Sequence, residues 1–158
     1  MVIHQIDPVF DKDSRVLILG SFPSVKSRET GFYYGHPANR FWPVMAAVLK
    51  EDVPKTVRDK RTMLIRHGIA LWDVVRSCEI DGSSDSSIRN VVVNDIGSIL
   101  ASADIGKIFV NGKTAMKYYQ KYMLPITGRD AVCLPSTSPA NAAWDIKKLT
   151  EEWKIIIE

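Results

Sequence analysis

The stretch RVLILGSFPSVKSRETGFYYGHPANRFW, Arg15 to Trp42, decides the fold. Its apolar run Val16–Leu19 has the length and branched content of a buried strand. Gly20 ends the run, and Pro23 blocks an immediate helix. The residues beyond Pro23 include glycines, consecutive aromatics, a histidine and an asparagine, and they bury little apolar surface for their number. Long irregular loops inside compact domains are usually functional, and α/β proteins place their sites at strand ends. The stretch therefore predicts a first strand followed by an active-site loop.

Working outward, Ile69–Val75, Lys107–Asn111 and Ala131–Leu134 read as three further strands. Helices are expected over Val44–Lys50, from Pro54 to a cap at Gly68, from Asn94 or Asp95 to Ser102, and over Lys113–Met123. A last helix from about Ala143 carries Ile146, Leu149, Trp153 and Ile156 at helical spacing. Arg76–Arg89, containing DGSSDSS, reads as a long polar loop. Strands alternating with helices predict βαβ units, an α/β class and a parallel sheet. The near-continuous apolar strands predict helices on both faces. No repeat or linker interrupts the chain, so one domain over residues 1–158 is expected.

A hydrophobic content of 46% with 25% charged residues is that of a soluble globular protein. The net charge of +3 is compatible with a nucleic-acid partner without demanding one. His4, His36 and His67 are the only histidines, Cys78 and Cys133 the only cysteines, and none form a ligand cluster. That excludes a structural zinc or iron–sulfur centre, and no metal or other cofactor is expected. Two free thiols and no leader segment predict a cytoplasmic or nucleoid-associated protein. No apolar run approaches a membrane span, so no membrane partner is expected, and a monomer is the default.

Three polar loops succeed strands one, two and four, and in a parallel sheet these share one edge. Two of them, Ser21-Phe22-Pro23-Ser24 and Pro135-Ser136-Thr137-Ser138-Pro139, offer hydroxyls and backbone N–H groups held by prolines. Such groups bind phosphates or developing oxyanions. Asn111-Gly112-Lys113-Thr114 imitates the tail of a nucleotide-binding P-loop. The glycine that motif requires is replaced by Lys107 inside a strand, so this is a strand-to-helix turn. His36 reads as structural, and no Ser–His–acid or Cys–His set stands out. Phe32, Tyr33 and Tyr34 cannot all point into one core, so at least one is expected to be free to stack on a planar ligand such as a base.

These words then become specific. GSFPS at Gly20–Ser24, TGF at Thr30–Phe32 and GHPANRFW at Gly35–Trp42 resemble motif one of the uracil-DNA glycosylase superfamily. LPSTSPAN at Leu134–Asn141 resembles its motif two, and within the superfamily the hypoxanthine-DNA glycosylase family is most similar. The resemblance spans nearly the whole chain. It implies a three-layer sandwich whose four-stranded parallel sheet has the order 2-1-3-4, flanked by helices. Phe22 stands where the mismatch-specific branch carries its catalytic Asn, and Gly20–Ser24 lacks the Asp of the uracil-specific enzymes. By resemblance the catalytic residue falls on Asn39, orienting a water for attack at the sugar C1′. A helix-capping role for Asn39 is the plain alternative, and Pro43 counts against it by removing an early helical N–H.

The resemblance further implies that a base is flipped from DNA into a pocket. Tyr34 would stack on it, Phe22 would form the opposite wall, the Ser21 and Phe22 backbone would hold its carbonyl, and Asn111 would meet its edge. Ser24, Ser136 and Ser138 would contact phosphates. Ser138-Pro139-Ala140 would lie where relatives insert a wedge into the duplex. Lys26, Arg28, Arg40 and Lys113 would supply positive surface. The expected partner is DNA containing a deaminated base, cleaved at the N-glycosidic bond without strand incision. A uracil or thymine mismatch glycosylase, a non-catalytic module for damaged DNA and a flavodoxin-like phosphate binder are the alternatives.

Overall fold

The computed structural model describes all residues from Met1 to Glu158. In chain order the strands are β1 (Val2–Ile3), β2 (Val16–Gly20), β3 (Ile69–Asp73), β4 (Val75–Glu79), β5 (Arg89–Val93), β6 (Lys107–Asn111) and β7 (Ala131–Leu134). The helices are α1 (Val25–Thr30), α2 (Phe41–Leu49), α3 (Val57–Arg66), α4 (Gly97–Ser102), α5 (Lys113–Tyr118), α6 (Leu124–Thr127) and α7 (Ile146–Trp153). A π-helical turn, Tyr119–Met123, joins α5 to α6, and a 3₁₀ turn forms at Asp85–Ser87.

The main sheet has the order β3-β2-β6-β7, and every pairing in it is parallel. In order of appearance these strands are 2-1-3-4, as the resemblance implies. Alternation along β2 splits the core in two. Ile18 packs with Leu71, Phe109 and helices α2, α3 and α7 on one face. Leu17 and Leu19 pack with Ile108, Val110 and Tyr119 on the other. No helix is long and apolar enough to cross a membrane.

Three expectations need correcting. The segment read as a polar loop from Arg76 to Arg89 begins in β4 and leads into β5, and both join β1 in an antiparallel sheet of order β1-β4-β5. Val75 and Cys78 are buried while Arg76 is exposed, so β4 is too short and too polar to announce itself by periodicity. The loop after β2 also contains a helix. Pro23 delays it by only two residues, and the Ser24 hydroxyl caps α1 by accepting from the Ser27 N–H at 3.1 Å. The last helix starts at Ile146 behind an Asp145 cap, which leaves Ile146 exposed while Leu149 and Trp153 stay buried.

Candidate active site

Because the main sheet is parallel, Gly20, Asp73, Asn111 and Leu134 end their strands at one edge. Above that edge lies a cleft of about 1040 Å³, walled by both serine-rich loops and by the 3₁₀ turn at Asp85.

One buried side chain ties the walls together. Thr137 has no exposed surface. Its N–H donates to Asn111 Oδ1 at 3.1 Å, and its hydroxyl accepts from Asn111 Nδ2 at 3.0 Å. The same hydroxyl donates to Asn39 Oδ1 at 2.9 Å. Asn111 Nδ2 also donates to the Tyr34 hydroxyl at 3.2 Å. The two amide orientations are set by backbone donors, since the Phe41 N–H donates to Asn39 Oδ1 at 2.9 Å and the Thr137 N–H to Asn111. The network therefore has one proton arrangement.

This geometry revises the roles read from sequence. Asn39 is not the helix cap, a position Arg40 holds, but from one residue earlier its Oδ1 accepts the first helical N–H, that of Phe41. Both strong acceptor positions of Asn39 Oδ1 are occupied, while its Nδ2 donates to no protein atom. Asn111 spends both amide hydrogens inside the protein and serves as a bracket at the back of the cleft. Arg40 supplies no free cation. Its guanidinium donates to the carbonyls of Thr137 at 3.3 Å, Ser138 at 2.7 Å, Asn141 at 3.1 Å and Trp144. A planar fork suits that task as a point charge would not. The Ser24 hydroxyl is spent on α1, accepting from Ser27 N–H and donating to Ser27 Oγ at 3.1 Å.

The other residues singled out in the sequence take the following positions. Phe32 and Tyr33 are buried at 3% and 1% exposure, so Tyr34 alone of the three aromatics stays partly open to the cleft. Its ring stacks on Phe41 at 4.1 Å, and its backbone holds the left-handed φ of 53°. For a bulky residue that conformation costs on the order of 1–2 kcal/mol. Burial and the nearby Asp73 carboxylate push the Tyr34 phenol far up, so it remains a neutral O–H donor. The Ser21 and Phe22 N–H groups reach no protein acceptor. Phe22 lines the cleft but is buried at 8% exposure, its ring edge-on to His4 with the Arg28 guanidinium over it. Ser136 and Ser138 accept from the N–H groups two residues ahead, at 3.1 and 3.2 Å, which shapes the second loop. Pro139 and Ala140 are exposed at its tip. Lys113 is exposed on the rim, and Lys26 is exposed outside it.

Sequence reasoning missed Thr137 as the hub, and it missed two acids. Asp73 ends β3, is 4% exposed, and accepts from His4 Nε2 at 2.8 Å. The signal was a carboxylate inside an apolar run. Asp85 accepts from the Ser21 hydroxyl at 2.9 Å, and its signal was the third polar loop on the shared edge. Gly20 makes this packing possible. A Cβ there would lie 2.7 Å from the Tyr34 hydroxyl and closer still to the Asp73 carboxylate. Gly20→Ala is expected to lower stability by about 1–3 kcal/mol through overpacking, read as a fall in the denaturation midpoint.

The chain is similar to known proteins in sequence and in fold. The family profile described as Uracil DNA glycosylase superfamily matches residues 8–158. A Methanosarcina acetivorans protein named hypoxanthine DNA glycosylase is 31% identical over 158 residues, covering 99% of this chain and 98% of the relative. A Methanosarcina barkeri protein of the same name is 32% identical over 136 residues, 85% of each chain. A solution NMR structure from Methanosarcina acetivorans, described as a candidate uracil DNA glycosylase, superposes with a TM-score of 0.84 at 30% identity. It covers 99% of this chain and 97% of its own.

Proposed function

The chain belongs to the uracil DNA glycosylase superfamily, and on that premise we propose that it is a monofunctional DNA glycosylase releasing deaminated bases, hypoxanthine first among them. The observation that carries the substrate choice is the donor character of the cleft. The free N–H groups of Ser21 and Phe22, the Nδ2 of Asn39 and the hydroxyl of Tyr34 all offer hydrogens. Hypoxanthine presents a carbonyl where adenine presents an amino group. Buried donors favour the first and leave the second facing unpaired hydrogens.

Catalysis then proceeds in order. The base is flipped into the cleft, at lowest cost from a damaged or mismatched pair. Tyr34 flanks it with a ring already held by Phe41. As the bond from C1′ to the base breaks, negative charge grows on the base, and the free N–H groups stabilise it in place. Asn39 contributes donors and steers either the base or the water. On the rim, Lys113, Ser136 and Ser138 are placed to meet phosphates, with Lys26 exposed beyond it and Pro139 and Ala140 as the wedge. The protein would act as a monomer on DNA in the cytoplasm or nucleoid.

The test uses duplexes carrying deoxyinosine, deoxyuridine or a G·T mismatch. Free hypoxanthine is expected from the first, leaving a strand that breaks only on alkali treatment. Release from the other two alone would favour a mismatch glycosylase. Tight binding with no abasic product would favour a non-catalytic module.

A further inference from the structure

We propose that the carboxylate of Asp85 is the group that accepts the proton of the attacking water. The assignment rests on the glycosylase reading. It begins from a deficit: Asn39 has both acceptor positions of its oxygen filled by Phe41 and Thr137, so it cannot take a proton. Three carboxylates line the cleft, those of Asp73, Asp85 and Glu152. Asp73 is buried and paired with His4. Glu152 stands on α7, and no hydrogen bond ties its carboxylate to the site. Asp85 is different on both counts. One of its oxygens accepts from the Ser21 hydroxyl at 2.9 Å, which holds it beside the turn whose Ser21 and Phe22 N–H groups have no protein acceptor. Its other oxygen has no protein partner, and the residue is open to water.

Its surroundings keep it basic. The protein mass around the carboxyl raises the Asp85 pKa above the ordinary aspartate range, Ser21 opposes that rise, and Asp73 adds to it. No cation offsets these influences. Arg28 on α1 donates to the Gly82 carbonyl and lies over Phe22, Arg89 on β5 lies near Glu79 and Asp81, and Lys113 stands on the α5 rim. In the reaction the C1′–N9 pair leaves with hypoxanthine and the water oxygen bonds to C1′. The water proton passes to Asp85 and from there to solvent, while the departing anion takes a proton from solvent. The carboxylate also stabilises the cationic sugar before attack.

The measurement is single-turnover release of hypoxanthine from a deoxyinosine duplex as a function of pH. Asp85→Asn is expected to slow release at least ~100-fold without weakening duplex binding. The wild-type rate should fall towards acid through an ionisation above the usual aspartate range, and this limb should vanish in the variant. Ser21→Ala removes the bond that favours the charged form, so the limb should move to higher pH. Formate should partly restore Asp85→Ala. A purely structural role predicts otherwise. Because folding raises this pKa, the ionised group lowers stability as pH rises through it, so Asp85→Asn should melt higher than wild type at pH 7. That gain should disappear below ~4, where both states are protonated. An active wild type with an unchanged Asp85→Asn rate and limb overturns this assignment alone. A wild type that releases no base from any duplex overturns the glycosylase reading and this assignment with it.

Discussion

Arg40→Ala should release the second loop from the body of the protein. The wild-type guanidinium donates to four carbonyls spread over Thr137–Trp144, a span otherwise without regular structure. Charge-assisted hydrogen bonds are each worth more than neutral ones, but they are not additive, and freed carbonyls on this rim can turn to water. We expect a loss of about 3 kcal/mol, or a drop of about 6–12 °C in Tm for a domain of this size. Base release should fall further than stability explains, because Thr137 loses its seat and Asn39 loses its orienting hydroxyl. Arg40→Lys should recover only a small part, since one ammonium cannot reach four acceptors in a plane. Thermal melts and release assays on the same preparations separate the two effects. A Lys variant equal to wild type would show that charge alone sufficed.

Asn39 separates its oxygen from its nitrogen in a second experiment. Asn39→Ala should cost about 1 kcal/mol for the lost hydrogen bond to the Phe41 N–H, strand the Thr137 hydroxyl, and slow release by roughly 100- to 1000-fold, as loss of one preorganised donor does. Asn39→Asp is more telling. It keeps the one oxygen that accepts from Phe41 and Thr137 but replaces the Nδ2 amide with a second oxygen, removing its two hydrogens and adding a charge. Its melting temperature should stay near that of wild type while release falls as in the Ala variant. Activity retained in Asn39→Asp would mean that the oxygen, not the nitrogen, does the chemistry.

These two residues also mark how far the sequence could be read. Strands β2, β3 and β6 stood out because they are largely buried between helices, so their apolar runs are nearly unbroken, and β7 stood out by its apolar residues although Val132 and Cys133 are exposed. Strands β4 and β5 did not, because exposed Arg76 interrupts the short β4, and β5 opens on Arg89 and buries no residue. Helix α1 was hidden behind Pro23, since a proline two residues before a helix looks like a proline that prevents one. In the site, motif spacing placed Tyr34, Asn39 and the second loop on one edge. It left hydrogen-bond direction unassigned, so Arg40 looked like a surface cation and Asn39 like a free amide. Asp85 escaped notice because it reaches Ser21 across 64 positions, a meeting only the fold arranges.

The knot at Thr137 also constrains how such a protein can change over generations. Tyr34, Asn39 and Arg40 come from one loop, Asn111 from a strand end and Thr137 from another loop, yet they share one set of protons. A substitution in either loop alone meets a partner shaped for the old residue, so its effect depends on the other loop's sequence. Pairs drawn from the two loops should deviate from additivity in double-mutant cycles. Specificity in this scaffold would then drift in paired steps, with the two loops inherited as one unit.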